Sequence, residues 1–238
     1  LPHVNDIIVS PNMGDGGLAL GAAVYHHRSK INLDTLYLGS DIKTNSQNSN
    51  SAEIVYEGES FHEVIARLLF EEKIVAIARG NMEYGPRALG NRSILYSAKN
   101  KEVNKWLNKM LKRTEFMPFA PMCRDVDAKR NFHLEVPMER YKFMTMTCNV
   151  TDFCKETAPA VVHVDGTARP QIVFKEDNAD IYKILECYSN YVENPVVVNT
   201  SFNMHEEPIV RTAEEAFRAF QKSKIDYLLL GNQLLKNK

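Results

Sequence analysis

Ile74-Val75-Ala76-Ile77-Ala78 and, beyond Arg79–Met82, Glu83-Tyr84-Gly85-Pro86-Arg87-Ala88-Leu89-Gly90-Asn91-Arg92-Ser93 form the stretch around which the chain is organised. The apolar run reads as a buried strand, and it opens into a loop carrying two glycines, a proline, two arginines and a serine. Gly85 and Gly90 let the backbone come close to a ligand, and Pro86 suits the first position of a helical turn. Arg87 and Arg92 offer planar forks matched to phosphate or carboxylate oxygens, so the loop reads as an anion site. The same residues also spell an ordinary Gly-Pro-Arg turn whose arginine caps carbonyl groups, and the loop alone leaves the two readings level.

Composition limits the remaining possibilities. The chain has 238 residues, 44% hydrophobic and 25% charged, enough for one large globular domain or a domain with a piece of another. A formal net charge of −1 gives no general pull towards nucleic acid or an anionic membrane, so any basic site is local. Cys123, Cys148, Cys154 and Cys187 show neither C-x-x-C pairing nor metal-like spacing with histidine, which fits reduced thiols in a cytoplasmic protein. No apolar run is long enough to span a bilayer and no signal peptide is evident; the chain opens on Leu1 directly before a strand pattern, so the natural protein is expected to begin further upstream.

Working outward, residues 1–40 read as one unit. Asp6–Ser10 is a short strand, Pro11–Gly17 a glycine-rich turn, and Leu18–Arg28 a helix with an apolar, small-residue face. Asp15 lies among Gly14, Gly16 and Gly17 at the helix start, either as a ligand-side carboxylate or simply as a cap. Asp41–Ser51 is polar and rich in serine and asparagine, and the domain boundary is placed there. Beyond it the pattern is α/β. Ser60-Phe61-His62-Glu63 spells a capping box before a helix through Leu69; a strand covers Ser93–Tyr96, and an amphipathic helix covers Lys101–Leu111.

Three further polar clusters follow the first. Lys112-Arg113-Thr114-Glu115 precedes Phe116–Pro121, although adjacent cations at a helix end also simply complement its dipole. Residues 124–140 read as a solvated helix or loop, and Lys142–Val150 alternates like a half-exposed strand. Ala160–Gln171 reads as a turn between two strands, with Arg169 a second anchor for an anion. His163, Asp165 and Ser201 do not make a convincing hydrolase triad, because no G-x-S-x-G elbow is present and His163 and Asp165 share a strand face. Finally, after a helix over Asp180–Tyr191, Val196-Val197-Val198 suits a strand buried on both faces, and Asn199-Thr200-Ser201-Phe202-Asn203 puts amides and hydroxyls at its carboxyl end. Thr212-Ala213-Glu214-Glu215 is a second capping box, before a terminal pair of strands at 226–230 and 233–235.

Taken in order, GNMEYGPRALGNRSIL, KRTEFMPFAP, APAVVHVDGTARPQ and NTSFNMHEEPIV closely resemble the C-terminal half of the O-carbamoyltransferases of the nodulation and antibiotic-tailoring (NodU/CmcH) family. NMGDGGLALGAAVY resembles the last motif of that family's first domain. The resemblance implies a YrdC-like domain around a large twisted mixed sheet over residues 52–238. It makes residues 1–40 the C-terminal remnant of an actin-like (ASKHA-type) ATPase domain, and 41–51 the linker. It implies that the second domain turns carbamoyl phosphate and ATP, with magnesium, into carbamoyl-adenylate. The first domain, with an iron-type metal, then passes the carbamoyl group to a hydroxyl of an acceptor such as a sugar or natural product.

By motif, the resemblance carries Arg87, Lys112, Arg169 and Ser201 into the reaction site, and Arg92, Arg113, Asn199 and Thr200 to its binding groups. Asp15 falls where the first domain supplies one carboxylate metal ligand; the histidine ligands expected before it are absent, so the chain by itself is expected to hold no tightly bound transition metal. Two departures stand out. Met117 replaces an arginine common in the family, and Glu206 stands where glycine is common, which puts the backbone there in question. A nucleotide- or RNA-binding YrdC-like module and a catalytically silent scaffold are the competing readings; no membrane partner is expected, and an oligomer stays open.

Overall fold

The computed structural model describes residues 3, 9–28, 35–42, 52–102 and 119–237. In chain order the elements are α1 (Leu18–His27), β1 (Glu53–Glu57), α2 (His62–Phe70), β2 (Val75–Ala78), β3 (Arg92–Ser97), β4 (Ala120–Arg124), α3 (Asp125–Asn131), β5 (Phe132–His133), β6 (Cys148–Val150), α4 (Asp152–Thr157), β7 (Thr167–Ala168), β8 (Gln171–Val173), α5 (Ala179–Tyr188), β9 (Val197–Ser201), α6 (Ala213–Lys222), β10 (Tyr227–Leu230) and β11 (Gln233–Lys236).

The period of two along the apolar strands builds the middle layer. In β2, Val75 and Ile77 face one side and Ala76 and Ala78 the other, and all four are buried. Val75 and Ile77 join Leu95, Val197 and Leu229 under Ile65 and Leu69 of α2 and Ile181 and Leu185 of α5. Ala76, Ile94, Val198 and Leu228 pack on the opposite side with Ala216 and Phe220 of α6. The result is an eight-stranded sheet, ordered β1-β11-β10-β2-β3-β9-β4-β8, with helices against both faces. It is mixed: β10 with β2 and β4 with β8 run parallel, and the other pairs antiparallel. A small antiparallel sheet, β5-β6-β7, sits beside it.

Several expectations needed correcting. The three valines before Asn199 are buried as read, and β9 lies antiparallel to both β3 and β4 within the large mixed sheet that the resemblance implied. The expected box at Ser60 does not form, because α2 starts one residue later. Phe61 takes the cap position without a side-chain bond, fully buried and stacked on His62, while His62 turns to Asp180 at 2.9 Å. The box at Thr212 and Glu215 forms in full. Of the strand expected over 142–150 only β6 exists; Met144 takes a left-handed backbone (φ 52°) that interrupts the extended run. Residues 124–140 are less solvated than their charge suggests, with Ala128, Asn131 and Phe132 buried and Arg124 paired with Asp127 at 2.7 Å. Before the 163–166 turn there is a 3-10 turn over Pro159–Val161 in place of a strand. No helical turn opens at Pro86. Most of the strand expected at 6–10, most of the linker and nearly all of the 101–111 helix lie outside the described residues.

Two N-terminal pieces are placed. Helix α1 follows a 3-10 turn at Asp15–Gly17 and buries none of its residues; Leu18 and Tyr25 are 69% and 86% exposed. Residues 35–42 instead run along the loop after β2, with Tyr84 N–H donating to the Leu36 carbonyl at 2.7 Å and Gly39 N–H to that of Met82 at 2.8 Å. Leu36 and Ile42 are buried there. No described helix is long and apolar enough to cross a membrane.

Candidate active site

Two charged side chains turned inward shape the loop between β2 and β3. Glu83 is buried, and its Oε1 accepts from the backbone N–H groups of Leu89 (2.7 Å), Asn91 (2.8 Å) and Arg92 (3.2 Å). Arg92 is fully buried and donates to the carbonyls of Arg79, Gly80 and Asn91 through Nη1, and to that of Ser40 through Nη2 at 3.1 Å. Burial draws the Arg92 pKa down against the opposing pull of Glu83 and Asp41. These N–H groups, which the glycine pattern offers to a ligand, are therefore taken by Glu83. The glycines answer to packing instead. A Cβ on Gly90 (φ 122°) would lie 2.5 Å from Ile181 of α5, and one on Gly85 (φ 111°) would lie 3.1 Å from the Pro11 carbonyl. The arginine that reaches the pocket from this loop is Arg87.

That pocket is lined by Arg87 and Ala88 of the loop, Phe119 and Ala120 at the start of β4, Met144, Arg169 between β7 and β8, and Asn199-Thr200-Ser201 at the carboxyl end of β9. Residues from three of the sequence clusters thus meet in one place. Among the described residues neither Arg87 nor Arg169 has a carboxylate or hydrogen-bond partner, and no carboxylate lines the pocket. Burial, and after it the positive charge of Arg87, pulls the Arg169 pKa down, as expected of two cations facing one space. An anion placed between them would relieve both effects.

The β9 end is ordered by amides. Asn199 Nδ2 donates to the Ala88 carbonyl (3.0 Å) and to Gln171 Oε1 (2.7 Å), and Gln171 Nε2 donates to the Leu89 carbonyl (2.8 Å). The arginine loop is thereby tied to β9 and β8. Ser201 Oγ donates to Asn203 Oδ1 at 2.6 Å, and Asn203 Nδ2 is held by the carbonyls of Met204 and Glu207. Among the described residues no group donates to Ser201 Oγ. Glu206, close by, adopts φ 62°, the left-handed conformation that glycine takes without strain.

The pocket thus gathers Arg87, Arg169, Asn199, Thr200 and Ser201, and leaves Arg92 as the buried tie of the loop. Lys112 and Arg113 lie outside the described residues. Asp15 is exposed, and no three His, Cys, Asp or Glu side chains converge as a metal site among the described residues. His163 is paired with Thr167 Oγ1 (3.0 Å), Asp165 with Thr167, and Ser201 with Asn203, so the triad is not assembled. Glu83, Gln171 and Asn203 are the contributors given no individual role from sequence. The trace of each was its place at the edge of a motif: Glu83 opens the first, Gln171 closes the third, and Asn203 follows Ser201.

Residues 66–237 match the family model described as the carbamoyltransferase C-terminus. The chain belongs to the carbamoyltransferase family. Its place is the C-terminal portion of the nodulation and antibiotic-tailoring type. It is 39% identical to an uncharacterised protein of Methanocaldococcus jannaschii, over 97% of the chain and 46% of that protein. It is 31% identical to the nodulation protein NolNO of Sinorhizobium fredii (98% and 36%), and 27% identical to the 3'-hydroxymethylcephem-O-carbamoyltransferase of Streptomyces clavuligerus (98% and 44%). The chain therefore spans less than half the length of these relatives. In three dimensions it is similar to full-length HypF in a phosphate- and nucleotide-bound form, with TM-score 0.53 and 23% identity over 76% of this chain and 26% of HypF. This likeness concerns the fold.

Proposed function

We propose that residues 52–238 form a YrdC-like domain that takes carbamoyl phosphate and ATP and makes carbamoyl-adenylate. The observation that carries this reading is the meeting of two guanidinium groups, Arg87 and Arg169, which are unpaired among the described residues, with the amide and hydroxyls of Asn199-Thr200-Ser201 around a pocket to which no described carboxylate contributes. A phosphorylated substrate seats its phosphate oxygens between the arginines, where partial burial strengthens charge-assisted hydrogen bonds. HypF, which shares the fold, was crystallised with phosphate and nucleotide, the classes of ligand that this reading calls for.

The reaction balances with one water. Water cleaves carbamoyl phosphate to carbamate and phosphate; a carbamate oxygen then attacks the α-phosphorus of ATP and pyrophosphate leaves. Arg87 and Arg169 stabilise charge on the phosphoryl oxygens, while Ser201, held by Asn203, accepts a hydrogen bond from the planar carbamoyl group. Lys112 and Arg113 are proposed to add cations on the nucleotide side, and Arg92 acts through the loop it braces. Magnesium is proposed to arrive with the ATP phosphates.

Transfer to a hydroxyl-bearing small molecule is assigned to an actin-like domain, to which residues 1–40 contribute their motif, with Asp15 as one ligand of an iron-type metal. We place the activity in the cytoplasm, where ATP is present. The test is pyrophosphate release from ATP and magnesium, with and without carbamoyl phosphate, by this chain and by Arg87→Ala. Release that needs carbamoyl phosphate and is lost in the variant supports activation by this domain. Release independent of carbamoyl phosphate, or unaffected in the variant, overturns it.

A further inference from the structure

Residues 35–42 belong to neither sheet, yet they hold the arginine loop by both of its limbs. On the limb leaving β2, Tyr84 N–H donates to the Leu36 carbonyl (2.7 Å), Gly39 N–H to that of Met82 (2.8 Å) and Met82 N–H to that of Ser40 (3.1 Å). Gly39 permits this approach, since a Cβ there would lie 2.8 Å from the Cβ of Met82. On the limb returning to β3, Tyr37 Oη donates to the Leu89 carbonyl and Arg92 Nη2 to that of Ser40, each at 3.1 Å. Arg87 sits between the two limbs, three residues after Tyr84 and two before Leu89.

Tyr37 also closes a ring of hydrogen bonds across the base of the loop. Asn178 Nδ2 donates to its hydroxyl (3.1 Å) and to Asn91 Oδ1 (3.0 Å). Asn91 Nδ2 then donates to the Asn81 carbonyl (2.8 Å), and Asn81 Nδ2 returns to the Tyr37 carbonyl (3.3 Å). The Asn178 amide cannot turn over, because its Oδ1 accepts from Ile181 N–H and caps α5. Burial pushes the Tyr37 pKa up against the pull of the Asn178 bond, so the phenol keeps its proton and remains a donor. The Leu89 carbonyl has both lone pairs occupied, by Tyr37 and by Gln171 Nε2, while its N–H is held by Glu83.

Resting on the function proposed above, we infer that Tyr37 is a positioning residue, which ties the arginine loop so that Arg87 meets the anion opposite Arg169. The site of the second domain therefore includes residues 35–42, upstream of the expected boundary at 41–51. Tyr37 does not line the pocket and acts through the loop alone. Two guanidinium groups share one phosphate only when both are held in place, and a displacement of about 1 Å is enough to lose much of the gain.

Binding of inorganic phosphate to the chain is measured by calorimetry, well below the melting temperature, for wild type, Tyr37→Phe, Asn81→Ala and Tyr188→Phe. Tyr188 is the control, since its hydroxyl is also buried and donates to Ser97 Oγ (3.3 Å) instead of to the loop. Both tyrosine variants are expected to melt lower than wild type. Tyr37→Phe should weaken phosphate binding by a factor on the order of 10, and Tyr188→Phe should leave it unchanged. Asn81→Ala opens the ring at an exposed residue and should weaken binding by a smaller factor. Wild-type affinity in a folded Tyr37→Phe protein overturns the inference, and so does an equal loss in Tyr188→Phe, which would make the effect one of general stability. If Tyr37→Phe does not fold, Asn81→Ala decides, and unchanged affinity there overturns the inference. In these cases wild type still binds phosphate, so the proposed function stands and only the role of Tyr37 fails. If wild type does not bind phosphate, the proposed function fails, and this inference with it.

Discussion

At Arg87, exposure and the lack of a partner among the described residues mark the side chain as one whose charge is uncommitted, whereas Arg92, five positions on, is sealed behind four carbonyl bonds. The two substitutions to alanine should therefore separate. Arg87→Ala is expected to lower carbamoyl-phosphate-dependent pyrophosphate release by about 100-fold or more with the melting temperature unchanged. Arg92→Ala is expected to fail first in a thermal melt. Sequence reading paired these arginines because both follow the strand with the spacing of an anion loop; which one points inward depends on Glu83 and on Ser40, far upstream, and no local pattern reveals that. Glu206 is a different case. Its departure from glycine was visible in the sequence, and the left-handed φ of 62° shows its cost. Glu206→Gly should stabilise the protein by up to about 1 kcal/mol, read as a rise in the midpoint of urea unfolding.

At the scale of elements, the clamp at the carboxyl end of β2 joins parts that the sequence keeps apart. Arg79 reaches Asp180 of α5 (2.8 Å), Glu59 (2.8 Å) and Asn232 in the β10–β11 turn, while His62 of α2 takes the other oxygen of Asp180. Burial pushes the Asp180 carboxyl up, but hydrogen bonds from Arg79 and His62 outweigh it and hold the group below the ordinary carboxylate range. Since the unfolded value is about 3.9, this contribution is intact above about pH 4 and fades as pH falls through the folded value. Asp180→Asn should remove that part of the acid dependence in pH-resolved melts, at a cost of roughly 1 kcal/mol or less at neutral pH, because the carboxylate is 41% exposed and water screens it. The helices and buried strands were legible because their periodicities are local. The reading failed for 142–147 and 160–164, where alternation or a short apolar run exists but no strand among the described residues pairs with it.

Across the whole molecule, four clusters read separately were proposed to serve one site, and three of them are found around a single pocket. Their order along the chain was legible; their convergence was not, since it depends on the sheet order that sets β9 between β3 and β4. The N-terminal segment contrasts with this. Met13, Leu18 and Tyr25 present apolar surface around α1 with nothing described against them. The chain is expected to self-associate in a concentration-dependent way, and Leu18→Lys combined with Tyr25→Lys to abolish this without lowering the melting temperature; light scattering over a dilution series decides it. One consequence concerns how the molecule is made. Strand β9 takes every partner from much earlier in the chain, and Asn199 meets Ala88 across 111 residues. Such distant pairings close slowly, so on the ribosome the arginine loop emerges long before the strand that completes its pocket. Until β9 arrives, the flanks of β3 and β4 that it will cover are open edges, and a chaperone that shields strand edges would find its work there.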